Sequence, residues 1–458
     1  MKRADSLTLA AMSLGSGVVQ LDVTIVNTAL NSIGTALGGG MSGLQWIVST
    51  YTIAFAALIL TAGTLGDRVG AKKVFSAGFA IFTAASLACA FAPSMGVLIA
   101  GRALQGVGAA VLVPNSLALL NHAYPDERRR GRAVGIWAAG ASLALTAGPL
   151  VGGVLIALVG WRSIFLVNLP IGLAGLWLTA RYTEETERSA DRAPDLAGQL
   201  LAIGALGCLA GAIIEGGALG WDSPWVLGGF AAATILAILF LFEESRVPQP
   251  MLPLMLFRRR TFSLMSLAGL SVNVAFYGLI FVLSLYFQQI NHLSAFATGL
   301  AFVPMKGAVL PVNLLAPHWS ERIGAPAVIA IGAGIAAAGC AGLLLIAPGT
   351  RYTAMCAQLL AMGAGLGLLV PPLTSTLLGS VEKSRSGLAA AVLNSARQTG
   401  SVLGVSLFGS LAAHARGFLP GARAALGVST ALLIGTALIS LGARGKGRER
   451  VTAPGSER

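Results

Sequence analysis

The sequence predicts an all-α integral membrane protein of fourteen spans, built as two six-helix bundles with a two-helix hairpin inserted between them. Three observations carry this. Of 458 residues, 55% are hydrophobic and only 11% charged, against about 25% charged in a soluble domain. That is too little charge to clothe a water-facing surface of this size, and the mean hydropathy is +0.78. Second, apolar runs of about 20 residues, each able to cross a ~30 Å hydrocarbon layer, recur along the whole chain. The core helices of a large soluble protein would instead show polar faces. Third, the second half echoes the first. Asp67, Arg68, Val69, Gly70 and Ala71 are matched by Glu321, Arg322, Ile323, Gly324 and Ala325 at an offset of 254 residues. Gly106, Gly108 and Pro114 are matched by Gly363, Gly365 and Pro371 at an offset of 257.

The predicted spans centre near Asp22, Phe55, Ala84, Ala109, Gly148, Gly172, Leu206, Ile235, Gly278, Val309, Ala337, Gly365, Gly404 and Leu433. Residues 1–182 form the first bundle, 183–262 the linker and hairpin, 263–445 the second bundle and 446–458 a basic cytoplasmic tail. The net charge of +13 raises the question of nucleic acid, and its placement answers it. Of 31 Lys and Arg, 24 fall in predicted cytoplasmic segments, four outside (Arg162, Arg351, Arg416, Arg423) and three within the membrane (Arg102, Lys306, Arg397). This is the positive-inside pattern, and no nucleic-acid partner is needed to explain it. An even number of spans puts both termini on one side, and Lys2, Arg3 and the basic stretch from Arg444 to Arg458 make that side cytoplasmic. The first run is too long for a signal peptide and is expected to be retained as a span. Cys89, Cys208, Cys340 and Cys356 all lie in apolar runs, as small core residues and not as disulfides or metal ligands.

Span 1 carries Asp22 near mid-membrane, where an ionisable group costs roughly 2.5–3.5 kcal/mol on insertion scales. Ala11, Gly15, Val18, Asp22 and Ala29 share one helical face. Asp22 is either functional or a structural carboxylate locked to a neighbour. The loop after span 2, with Gly63, Gly66, Asp67, Arg68, Gly70, Lys72 and Lys73, is short and basic, so spans 2 and 3 run antiparallel from the cytoplasmic side. Span 4 sets Arg102, Gln105, Gly106 and Ala109 on one face. A guanidinium there needs acceptors. Asp22 is the natural one, and backbone carbonyls are the alternative. The basic loop 124–132 is a solvated anchor within reach of anionic lipid headgroups.

In span 5, Gly140, Ala144, Gly148 and Gly152 recur every four residues, with Pro149 and Gly153 beside them. Small residues at that spacing let two backbones approach, and proline removes a donor and can bend the helix. Trp161 and Arg162 suit the outer surface before span 6. Charged residues over 183–195 mark a linker, and spans 7 and 8 form a hairpin with Glu215 read as a solvated helix-end carboxylate, a buried proton site being the alternative. Prolines 248, 250 and 253 break the return segment. The intramembrane charges do not repeat: the second half has Lys306 and Arg397, and Arg397 shares a face with Asn394, Gly400, Ser401 and Gly404. No catalytic constellation is found. His122, His292, His318 and His414 fall at loops or span ends without metal-ligand spacing, and no phosphate-binding glycine loop is present. No enzyme activity and no cofactor are therefore expected.

Taken together, these segments resemble the fourteen-span drug:proton antiporters of the major facilitator superfamily. The stretch from Leu21 through Asp22 and Asn27 to Leu30 is similar to the family's first-span motif. Gly63 to Lys73 resembles its cytoplasmic loop, and Arg102, Gln105, Gly106 and Gly108 its fourth-span motif. Gly148, Pro149, Gly152 and Gly153 resemble the antiporter motif, and Trp161 to Pro170 the signature of the fourteen-span branch. The resemblance implies the major facilitator fold and proton coupling through Asp22 and Arg102. It also implies a cytoplasmic latch at Asp67 and Arg68 and a bend at Gly148 and Pro149 that favours exchange. A substrate cavity would be lined by Asn27, Gln105, Asn273, Tyr277, Lys306, Asn394 and Arg397. The expected function is proton-coupled export of a small antibiotic or drug-like compound. The absence of acids within the second-half spans points to a neutral or anionic one. The expected setting is a monomer in the bilayer of a bacterial cell membrane. An importer on the same fold, or a non-transporting receptor, are the rival readings.

Overall fold

A peptide chain in hydrocarbon must satisfy its own backbone, and helices do so within each segment. The computed structural model describes residues 3–188, 195–248, 250–382, 386–413 and 417–442. Lys2, Asp191, Arg192, His414, Arg416 and the basic tail lie outside the described residues. The first bundle is α1 (Arg3–Leu37), α2 (Gly40–Val69), α3 (Ala71–Ala90), α4 (Met95–Ala123), α5 (Glu127–Val159), and a sixth span made of α6 (Ser163–Leu166) and α7 (Asn168–Tyr182). The hairpin is α8 (Leu196–Leu219) and α9 (Pro224–Arg246). The second bundle is α10 (Arg260–Leu285), α11 (Ala295–Ala301) continued by α12 (Val303–Ile323), α13 (Ala325–Gly342), α14 (Tyr352–Gly379), α15 (Ser386–Ala413) and α16 (Phe418–Gly442). Every predicted span centre lies in one of these helices. Among the described residues, 13 helices are long and apolar enough to cross a membrane. The remaining span, α15, carries Asn394, Ser395, Arg397, Gln398, Thr399 and Ser401. Packing compensates for its polarity: α15 lies against α10, α2, α8 and α16.

The echo between the halves is also a structural one. Gly70 ends α2 at φ 111° and Gly324 ends α12 at φ 86°, and each donates its amide four residues back, to Gly66 O and Ser320 O. Glycine adopts that left-handed half of the map without a Cβ penalty. Gly106 presses on the Tyr51 carbonyl of α2 and Gly108 on the Phe82 backbone of α3, so α4 wedges between those helices. Gly363 on the Met305 carbonyl and Gly365 on the Gly332 carbonyl wedge α14 between α12 and α13 in the same way. A further repeat is visible at an offset of 252: Gly148 and Gly152 of α5 pack on α1, and Gly400 and Gly404 of α15 pack on α10.

The inserted hairpin closes over the seam where α2 of one bundle meets α15 of the other. Gln199 Nε2 donates to Ala57 O at 3.0 Å. Glu215 is half-buried and accepts a bond from Trp46 Nε1 at 3.0 Å. The solvated reading of Glu215 is thus corrected: its helix ends against α2, where the indole N–H needs an acceptor out of water.

The bundles meet at the end opposite the Lys- and Arg-rich loops. Gly153 of α5 abuts Phe296 Cα and Ala295 O, and Gly299 abuts the Pro149 carbonyl. Ser284 Oγ donates to Asn27 O at 2.6 Å, and Gln45 Nε2 to Ser406 O at 2.6 Å. Toward the basic end, Arg259 bonds Ser380 O within the second bundle, and Glu185 holds the Lys72 and Lys73 amides within the first. Between Ala133 and Gly148, α5 has no buried residue. The molecule is closed at one end, and α5 is uncovered toward the other.

Candidate functional site

Four spans of the first bundle deliver polar side chains to one dry point, and α2 adds a backbone carbonyl and a ring face. Asp22 of α1 and Arg102 of α4 form an ion pair through Oδ2 and Nη1, with exposures of 0% and 1%. Taking two charges out of water costs several kcal/mol per ion, so such a pair persists only when its other valences are satisfied. Here they are. Asn168 Nδ2, at the start of α7, donates to Asp22 Oδ1 at 3.2 Å, and Gln105 Nε2 reaches the same oxygen at 3.4 Å. Both amides also donate to Ser86 Oγ of α3, at 3.3 and 2.7 Å. Arg102 donates to Gln105 Oε1 at 2.8 Å and, through Nε, to Ile47 O of α2 at 3.1 Å. Its guanidinium lies over the Tyr51 ring, 4.3 Å from the centroid. Both sequence alternatives for Arg102 therefore hold at once, a carboxylate and a backbone carbonyl.

Asp22 is joined to Pro149 of α5 through Thr24 of α1. Pro149 has no N–H, so it leaves the Leu145 carbonyl without its helical partner. Thr24 Oγ1, two residues from Asp22, donates to that carbonyl at 3.1 Å, sharing its proton with Gln20 O and Leu21 O at 3.3 Å. Gly148 and Gly152 make the approach possible, because a Cβ at either would strike Thr24 or Thr28. Thr24→Val keeps the shape and removes the donor. It is expected to cost about 1–3 kcal/mol, the penalty for an unsatisfied buried acceptor, read as a lowered denaturation midpoint of the purified protein.

The basic loop is fastened inside its own bundle. Gly63 faces Pro114, and Gly66 leaves room for the Asn115 side chain, which donates to Ala62 O at 3.1 Å. The expected loop is helical on both sides of Gly70: Gly63 to Val69 end α2 and Ala71 opens α3, with Asp67 and Arg68 exposed in the last turn of α2. A carboxylate from beyond α7 caps the start of α3: Glu185 accepts from Lys72 N at 2.8 Å and Lys73 N at 3.3 Å, and Thr186 Oγ1 accepts from Ala71 N at 3.0 Å. Anions at helix N-termini are stabilised by the orphan amides and the dipole.

The residues expected to line one cavity are dispersed. Gln105 is enclosed in the ion-pair cluster, and Asn27 is buried at the closed seam. Asn273, Tyr277, Asn394 and Arg397 are half-buried in the second bundle. Arg397 Nη2 donates to Thr374 Oγ1 at 2.7 Å, and Tyr277 lies within its electrostatic reach. Lys306 is 2% exposed and lies over the Phe276 ring. Sequence reasoning did not assign Asn168, Ser86 or Tyr51 to the site. Asn168, a lone amide in an apolar run, was the only one with a signal. Among the described residues, no His, Cys, Asp and Glu cluster could hold a metal ion.

Three comparisons bear on this geometry. Residues 12–405 match the family model for the Major Facilitator Superfamily. The chain is 37% identical over 402 residues to the methylenomycin A resistance protein of Bacillus subtilis (strain 168), covering 88% of this chain and 86% of the relative. It is 38% identical over 414 residues to the multidrug resistance protein Stp of Mycobacterium tuberculosis, covering 90% and 77%. It is 31% identical over 409 residues to the tetracenomycin C resistance and export protein of Streptomyces glaucescens, covering 89% and 76%. Among solved structures, a peptide transporter POT in complex with sulfate superposes with TM-score 0.71 at 17% identity, over 95% of this chain and 94% of the other. At that identity the likeness concerns the fold alone.

Proposed function

Because the chain belongs to the major facilitator superfamily, we propose that it is a proton-coupled antiporter exporting a small antibiotic or drug-like compound by alternating access. The observation that carries this reading is the sealed Asp22–Arg102 pair, held by the amides of Gln105 and of Asn168 from a further span. A structural ion pair could be replaced by apolar side chains at little cost, so a carboxylate kept at mid-membrane suggests a proton site.

With the basic loops on the cytoplasmic side, the closed end faces outward and the molecule is inward-facing. In this state Asp22 is ionised and paired, its proton having left toward the cytoplasm, and substrate enters between the bundles. The halves then rock about the centre, as in transporters built from repeats. The α5–α11 seam opens, Asp22 parts from Arg102 and takes a proton from the exterior, and substrate leaves. Gly148, Pro149, Gly152 and Gly153 are the bearing of this motion. The loop at Asp67 and Arg68 is the latch of the outward-facing state. Units 1–182 and 263–445 are the moving bodies.

Inverted membrane vesicles test the reading. Addition of an exported compound from a varied antibiotic panel is expected to dissipate part of an imposed acid-inside gradient, with uptake abolished by a protonophore. Uptake indifferent to the protonophore, or no proton movement with any compound, would remove the antiport.

A further inference from the structure

Lys306 carries a buried amino group in the second bundle. It is 2% exposed, and among the described residues its Nζ has no hydrogen-bond partner. Its one visible compensation is the Phe276 ring, 4.5 Å from Nζ to the centroid, which itself packs edge-on against Tyr277 with centroids 5.1 Å apart. A ring face offsets only part of what a dry ammonium loses in leaving water. No acid of the second bundle can supply the rest. Between residues 263 and 442 the only carboxylates are Glu321 and Glu382. Glu321 lies fifteen residues further along α12, about 22 Å at helical rise, and Glu382 is 65% exposed and pairs with Arg259.

Arg397 does not share the position. Its aliphatic stem neighbours Gly269 of α10, two turns of helix from Phe276, or about 10 Å. Its own need for an acceptor is met by Thr374. Lys306 also sits seven residues from Gly299, the contact that closes the seam. Its want of an acidic partner is therefore a property of the second bundle's own side chains, and two aromatic rings lie beside it. Phe276 and Tyr277 are both half-buried.

We propose that Lys306 is the counter-ion for the carboxylate of an amphipathic organic acid, with Phe276 and Tyr277 against its apolar part. This deepens the export reading and rests on it for the acid's being cargo. The attraction is strong because the surroundings are dry. A dication, by contrast, would meet an uncompensated like charge.

Equilibrium binding to the full-length protein in lipid nanodiscs tests this with matched pairs of equal shape: 2-naphthoate and 2-naphthamide, indole-3-acetate and its amide, 4-phenylbenzoate and its amide. The carboxylate of at least one pair is expected to bind about thirtyfold tighter or more, the low end of what a buried charge pair loses when one partner is removed. Lys306→Met should erase the preference, and Lys306→Arg should retain most of it. Equal or absent binding across all three pairs in the unmutated protein would overturn the proposal. So would a preference that survives in Lys306→Met. Binding at equilibrium needs neither a gradient nor translocation. Vesicles without proton movement would thus remove the antiport and leave a carboxylate preference at Lys306 standing.

Discussion

Asp22→Asn is expected to reduce proton-driven efflux to the level of membranes lacking the protein, while the variant still reaches the membrane. The amide has the carboxylate's shape but only one oxygen, which can face either Asn168 and Gln105 or Arg102. What changes is the atom facing Arg102. Either an N–H₂ meets the guanidinium donors or a neutral oxygen meets a full charge, and neither can take up and release a proton. Removing one partner of a buried pair costs about 3–5 kcal/mol because the other charge is stranded. Here the loss should fall toward the lower figure, since Ile47 O, Gln105 Oε1 and the Tyr51 ring still receive the guanidinium. Transport and stability therefore separate. Replacing Arg102 as well, by Met, should restore much of the stability and none of the efflux. Full efflux of a dye or antibiotic in Asp22→Asn vesicles would take Asp22 out of the coupling scheme.

The division of the chain into spans was legible because hydrocarbon imposes a length and a composition on each segment, and those are one-dimensional properties. Asp22 and Arg102 stood out for the same reason, as isolated charges in apolar runs, and Gln105 followed from its place one turn from Arg102. Helical periodicity tells which residues share a face, but not which helix that face meets. Asn168 therefore read as part of an outer-surface segment, although it lies 146 residues from the carboxylate it binds. Glu185 read as linker charge, although it caps α3. Thr24 carried no signal at all, because its role exists only where the carbonyl freed by Pro149 comes to rest. The glycine pair at 400 and 404, by contrast, was visible in the sequence. It was overshadowed by Arg397 on the same face, whose charge has no counterpart in α5. Packing repeats between the halves and charge does not, as expected if both bundles need the same close crossings and only one carries the proton.

The small residues of α5 serve two different ends, and substitution separates them. Gly148 and Gly152 face Thr24, Ile25 and Thr28 of α1 within the first bundle. Valine at either should damage folding. Gly153 faces the other way, onto α11 of the second bundle, where a Cβ would stand 2.7 Å from Phe296 Cα and 2.8 Å from Ala295 O. Those are backbone atoms and cannot rotate aside, but the two bundles can part. Gly153→Val is therefore expected to leave each bundle intact and to wedge the closed seam open. If the usual cost of overpacking, about 1–3 kcal/mol, falls on the closed state alone, the closed-to-open ratio drops roughly five- to 150-fold. Spin labels at Leu158 and Leu345, 78% and 84% exposed, on a background lacking the four native cysteines, report the result. The variant should show a longer distance population absent from its parent, with transport lost and thermal stability nearly unchanged. A distance distribution identical to the parent's would mean that the seam yields locally, and Gly153 would then be a packing residue with no part in alternating access.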